Sequence, residues 1–360
     1  MQPETREAHE MRPILAITMG DPAGIGPEIT VKALAQKKIH EICAPVVIGD
    51  KEALLDADHF SHTGLEFHEI KEIRDARNRH GVLDYINLSY LEKGGWAYKE
   101  VCALCGKASF AYVCRGIELA LSGDVHGVVT GPINKEALAA AGVPYSGHTE
   151  IFADHTGTKD YGMLLLSDAL RVIHVTTHVS MREACDRITA ERVFQTIRLA
   201  DEALIALGVD KPRIAVAGLN AHAGENGLFG GEEQTAIQPA VEKARSAGFD
   251  VEGPIPPDTV FVKAMAGLYD VVVAMYHDQG HIPLKLSGFR LDAKTNRYTS
   301  VSGVNCTVGL PIIRTSVDHG TAFGKAGEGR ANEESMIDAI KTAVTLAGVK
   351  FGFALPELER

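Results

Sequence analysis

The chain has 360 residues, 45% of them hydrophobic and 23% charged, with a formal net charge of −11. That length supports one large domain or two ordinary ones with ample core, and the composition excludes a disordered or collagen-like chain. The acidic balance argues against a nucleic-acid or anionic-membrane surface, since both need basic patches, so an anionic small molecule must be held by a few local cations.

Residues 1–10 lack an apolar h-region and read as a loose tail, not a secretory signal. No apolar run reaches the length of a membrane span. Cys102 and Cys105 form a C-x-x-C without a second pair at zinc-ribbon spacing, and they precede an apolar helical pattern. Thiols packed near a helix are therefore expected, and a cytoplasmic location with them.

Ile14 to Met19 reads as a first buried strand, running into a Gly-rich turn, Gly20-Asp-Pro-Ala-Gly-Ile-Gly-Pro-Glu28, and an amphipathic helix from Ile29 to about Gln36. The turn is neither a Walker loop nor a G-x-G-x-x-G fingerprint. Phosphate contact and plain turn geometry explain it equally well. Pro45 to Asp50 reads as a second strand, residues 107–122 as a helix, and Gly127 to Asn134 as another strand with a polar rim. This alternation predicts an α/β fold with a largely parallel sheet.

Ser146-Gly-His148-Thr149-Glu150 opens a helix. Three β-branched or apolar runs then end on an imidazole: Leu170 to His178, Arg213 to His222 and Val271 to His277. The last continues as Asp278-Gln-Gly-His281-Ile-Pro-Leu-Lys285, which reads as polar groups delivered to the rim of an open sheet. A single histidine so placed is usually a hydrogen-bonded rim residue. Three favour a metal site, because three imidazoles leave coordination positions for substrate. Residues 290–303 are polar, lack core periodicity and read as an exposed hairpin or lid. Residues 333–347 close the chain as a helix with Met336, Ile340, Ala343 and Leu346 inward.

Six motifs in order carry a family resemblance: Met19 to Glu28, Gly147-His-Thr-Glu150, Thr177-His178, Gly218-Leu-Asn-x-His-Ala-Gly-Glu225, Tyr276-His-Asp-Gln-Gly280 and Leu310-Pro-x-Ile-Arg-Thr-Ser-Val-Asp-His-Gly-Thr321. Across residues 12–350 the chain resembles the 4-hydroxythreonine-4-phosphate dehydrogenase family of pyridoxine biosynthesis. The resemblance implies a two-domain α/β/α fold like the isocitrate and isopropylmalate dehydrogenases. Residues 11–145 with 311–360 form one domain, 146–310 the other, and 290–303 an inserted loop. It further implies a homodimer whose active site lies in the interdomain cleft at the subunit interface. Metal ligands fall on His178, His222 and His277, the last supplied by the other subunit. Substrate contacts fall on His148, Thr149, Lys285, Asn305 and Arg314.

The implied activity is NAD- or NADP-linked oxidation, with decarboxylation, of a 4-phosphorylated hydroxy acid on one divalent metal (zinc, magnesium, manganese or cobalt). His281-Ile-Pro-Leu-Lys285 resembles the branch acting on 4-phospho-D-threonate or D-erythronate more than the branch acting on 4-hydroxythreonine-4-phosphate. Lys285 and Asp278 are the side-chain candidates for proton transfer beside a metal-bound water, and Asp278 is alternatively an orienter of an imidazole. No cofactor-binding residue is legible. The chain departs from the family at Ala221, where Pro is usual, and at Gly324 and Glu328, where an acidic residue and a Lys or Arg are usual. Two other readings share the pocket: a dehydrogenase of a terephthalate-derived dihydrodiol, and a non-catalytic metal-bound sugar-phosphate sensor.

Overall fold

The computed structural model describes residues 12–293, 297–301 and 303–353, the stretch 297–301 as backbone only. The expected tail at residues 1–10 lies outside the described residues. Two compact units emerge, Met1–Ile151 with His319–Arg360, and Phe152–Asp318. Among the described residues no helix is long and apolar enough to cross a membrane.

In the first unit β1 (Ile14–Thr18), β2 (Ala44–Gly49), β3 (Glu66–Glu69), β4 (Val82–Asn87) and β5 (Gly127–Thr130) pair in parallel in the order β3-β4-β2-β1-β5. β1 and β2 are covered on both faces, as their unbroken apolar sequences require. The helix Gly26–Leu34 starts where Pro27 suits the first turn. A Cβ on Gly26 would lie 2.1 Å from the Met19 carbonyl oxygen, so close backbone packing accounts for that glycine. Cys105 lies inside the helix Ala103–Leu121 with its thiol pushed up by burial. The closing helix, Glu334–Phe351, buries Met336, Ile340 and Ala343, but Val344 and Ala347 complete its inner face where Leu346 was expected. The stripe of a helix this long follows the 3.6-residue period, and Leu346 falls at its margin.

The Gly-rich turn holds a buried carboxyl. Asp21 accepts a 2.8 Å hydrogen bond from the Ala23 N–H, while its Oδ2 is buried without a partner. Desolvation raises its pKa from 3.8 to about 6. A carboxyl raised in the folded state stabilises fully below pH 3.8, and that contribution is lost as pH rises through about 6. Asp21→Asn, compared with wild type by denaturant unfolding, is expected to gain on the order of 3 kcal/mol in relative stability between pH 4 and pH 8. An unchanged difference across that range would contradict the assignment.

The second unit has β6 (Gly162–Leu166), β7 (Arg171–His174), β8 (Ile214–Ala217), β9 (Val251–Ile255), β10 (Val271–Ala274), β11 (Phe289–Asp292), β12 (Arg297–Val301), β13 (Val304–Val308) and β14 (Arg314–Val317). Its sheet order is β14-β13-β6-β7-β10-β8-β9, with β11 and β12 a separate antiparallel pair. β7, β10, β8 and β9 are parallel, whereas β6, β13 and β14 pair antiparallel, so this sheet is mixed where a largely parallel one was expected. The links from β6 to β7 and from β13 to β14 are too short for a crossover, which leaves only the antiparallel arrangement. The core packs Leu165, Val172, Ala215, Val272 and Ala274 against Val260, Phe261 and Leu284.

Two sequence expectations change here. The run through Leu170 to His178 leaves the strand after His174, so the buried His174 ends β7 and His178 follows in an exposed loop. The polar segment after β10 is not a loop but the helix His277–Gly288, which continues through Pro283. Pro283 lacks the N–H of one helical turn, and the packing of Leu284 in the core holds the helix together regardless.

Candidate active site

The helix His277–Gly288, the end of β7 and the loop that follows it bring four imidazoles together in the second unit. The His178 and His277 ring centroids are 5.5 Å apart, His277 and His281 are 3.6 Å apart, and His281 and His174 are 4.8 Å apart. His277 and His281 are four residues apart on one helix face. Burial lowers the His281 pKa to about 4 and the His174 pKa to about 3, so both rings are neutral and add no charge beside His277. A Cβ on Gly280 would sit 2.4 Å from His174 Nε2 and 2.5 Å from Val172 Cγ1. Gly280→Ala is therefore expected to destabilise the fold by about 1–3 kcal/mol through overpacking, seen as a lower thermal midpoint. A midpoint equal to wild type would show that the helix seats on β7 less tightly than this.

The donor chemistry fits a divalent cation. Asp278 Oδ1 lies 2.6 Å from His277 Nδ1, and a carboxylate there makes Nδ1 the donor and leaves the Nε2 lone pair for a metal. Glu225 Oε2 lies 3.5 Å from His222 Nδ1, an ion-pair distance without the hydrogen bond that Asp278 makes to His277. Yet one chain does not gather all three expected ligands. Among the described residues no group of three or more His, Cys, Asp or Glu side chains is placed for one ion.

His222 sits on an unusual turn. His222, Ala223, Gly224, Glu225 and Asn226 all have positive φ, from 44° to 79°. Four of these five are not glycine, so the turn must be held from outside. Glu233, 3% exposed, holds it: its Oε1 accepts from the N–H groups of Leu219 and Asn220 at 2.7 Å each, and its Oε2 from Asn220 Nδ2 at 2.9 Å. Sequence reading missed Glu233, since it lies outside every motif and no spacing marks it. Glu233→Ala is expected to lower stability by about 2–4 kcal/mol, because two backbone donors lose a charged acceptor. Chemical denaturation checks this, and a loss below about 0.5 kcal/mol would contradict it.

The expected anion-holding residues lie in the same unit. Lys285 Nζ donates to Asp318 Oδ2 at 3.0 Å and to the Asp318 carbonyl at 3.2 Å, and lies 4.5 Å from the Phe289 ring centroid. Arg314 is 3% exposed and donates from Nη1 to Thr307 Oγ1 at 3.0 Å and to Asn305 Oδ1 at 3.4 Å. Neighbouring antiparallel strands β13 and β14 thus bring Asn305 and Arg314 together. His148 and Thr149 open the helix His148–His155, with both residues in the first unit. There too, the Glu328 departure is matched by two cations: Lys99 and Arg330 bond its carboxylate and pull its pKa down to about 2.

His174 and His281 went unrecognised as members of this cluster. The signal was present as the four-residue spacing of His277 and His281, in a stretch whose Gly280 and Pro283 are poor helix formers.

Known proteins resemble this chain over nearly its whole length. A D-threonate 4-phosphate dehydrogenase from Salmonella typhimurium is 49% identical over 335 residues, covering 92% of this chain and 98% of that protein. One from Cupriavidus necator is 45% identical over 336 residues, covering 93% and 97%. The crystal structure of a 4-hydroxythreonine-4-phosphate dehydrogenase from Klebsiella pneumoniae matches with a TM-score of 0.82 at 44% identity, covering 94% of this chain and 99% of that one. The model of the family described as pyridoxal phosphate biosynthetic protein PdxA matches residues 41–343, and the chain belongs to that PdxA family.

Proposed function

We propose that this protein is a metal-dependent dehydrogenase that oxidises the secondary alcohol of a 4-phosphorylated hydroxy acid with NAD or NADP, followed by loss of carbon dioxide from the β-keto acid. 4-Phospho-D-threonate or D-erythronate is favoured over 4-hydroxythreonine-4-phosphate, on the names of the two similar enzymes and on the sequence His281 to Lys285. The observation that carries the reading is the carboxylate-backed His277, in the same unit as a Lys285 and an Arg314 held in place by Asp318, Asn305 and Thr307.

His178 and His222 of one chain, with His277 of a second copy, would hold the cation. A divalent ion so held supplies Lewis-acid polarisation of an alcohol and of the carbonyl formed from it. Asp278 accepts the Nδ1 hydrogen bond of His277 and fixes its tautomer. Lys285 and Arg314 neutralise phosphate and carboxylate, with His148, Thr149 and Asn305 adding hydrogen bonds. Asp278 is engaged with His277 and Lys285 with Asp318, so a metal-bound water stands beside these two side chains as a candidate to move the proton. A homodimer is supported by an apolar groove of about 790 Å³ between the helices Pro257–Met265 and His277–Gly288. Phe261, Val262, Met265, Ile282 and Leu286 line it, and Val262 and Leu286 are 68% and 72% exposed.

A turnover screen tests the reading. 4-Phospho-D-threonate, 4-phospho-D-erythronate, 4-hydroxythreonine-4-phosphate and a dihydrodiol dicarboxylate are each supplied with NAD and with NADP, and the reduced nicotinamide is followed at its absorbance band. Turnover of a phosphorylated acid, abolished by a chelator and restored by a divalent metal, is the expected result. Turnover of the dihydrodiol alone, or of nothing, would sink it.

A further inference from the structure

The helix His277–Gly288 carries a second imidazole one turn beyond His277, and its placement is specific. The His281 ring lies face to face on the His277 ring, with centroids 3.6 Å apart and planes 12° apart. Its Nδ1 stands 3.0 Å from the His277 carbonyl oxygen, and the residue is 9% exposed. His174, 1% exposed, backs it with a ring centroid 4.8 Å away.

Two restraints are needed to aim an imidazole. The hydrogen bond from His277 Nδ1 to Asp278 fixes a direction within the ring plane, but the ring can still tilt about that axis. A flat ring stacked on its face removes the tilt. His281 cannot join His277 on one ion from this position. An imidazole ligand holds its metal in the ring plane at about 2.0–2.1 Å, and nearly parallel planes with centroids 3.6 Å apart do not converge on one point at that distance.

We infer that His281 is a positioning residue whose ring face fixes the plane of His277, so that the His277 Nε2 lone pair points at the cation without His281 binding it. The inference rests on the metal-dependent reading above.

Cobalt(II) titration of the metal-stripped, full-length protein, followed by its visible absorption, tests this in wild type, His281→Leu, His281→Phe and His277→Ala. His281→Leu removes the flat face and is expected to weaken cobalt binding about ten- to a hundredfold, the usual effect of losing a group that orients a ligand. His281→Phe keeps the face and should stay within about threefold of wild type, with kcat following the same order. Thermal melts of both variants report the fold, and the phenylalanine variant refills the volume if the leucine variant unfolds. Wild-type affinity in His281→Leu, or a loss in His281→Phe as large as in His281→Leu, would overturn the inference. Absence of cobalt binding by wild type itself would instead remove the metal reading beneath it.

Discussion

Replacing His277 by alanine is expected to reduce kcat by on the order of a thousandfold, about 4 kcal/mol of transition-state stabilisation, with the fold intact. The side chain is 36% exposed and supports no core layer, so the thermal midpoint should move by no more than a few degrees. His178→Ala and His222→Ala should behave alike, since each removes one of three donors and a pair of imidazoles holds a divalent ion weakly. Added imidazole or excess metal should recover part of the activity in any of the three. Steady-state kinetics after chelator treatment and metal readdition decides the matter. Full turnover by any one of these variants in metal-free buffer would remove the metal from the account.

Arg314→Met is expected to lower kcat/KM by about a hundredfold or more, chiefly through KM, with a stability loss of about 1–3 kcal/mol. The residue is 3% exposed, and Thr307 and Asn305 hold its guanidinium in one place. Its value for an anion lies in that fixed fork of donors, so Arg314→Lys should recover little of the loss despite keeping the charge. The two effects are read separately, KM for the phosphorylated acid from kinetics and stability from denaturation. A loss of stability with KM unchanged would make Arg314 a structural cation only. A rise in KM for the nicotinamide alone would move it to the cofactor.

Much of the fold was legible from the residues because the informative patterns were continuous. Val271 to Ala274 is uniformly apolar and lies between two parallel neighbours, as an unbroken run of that kind predicts. The recurrence of an imidazole after three such runs pointed to His178, His222 and His277 before any family was considered. What escaped depends on contacts remote in sequence. Glu233 holds the His222 turn from eleven residues away, and nothing in its neighbours marks it. Gly280 and Pro283 disguised a helix whose stability comes from Leu284 in the core and from the close seat of Gly280 on β7. With that helix hidden, the stacking of His281 on His277 was hidden too. The mixed sheet of the second unit was likewise set by short connections, whose consequence appears only once the strand ends are known.

The most direct measurement asks which chain supplies His277. In one chain its ring lies 5.5 Å from that of His178, whereas the proposed site takes His277 from a second copy. Inactive His277→Ala and inactive His222→Ala proteins are mixed in equal amounts, unfolded together and refolded, and assayed with metal and substrate. If the site is shared, half the dimers are hybrids with one complete site each, and about a quarter of wild-type activity returns. If all three ligands come from one chain, no hybrid holds a complete site, and a mixture as inactive as its components would contradict the account.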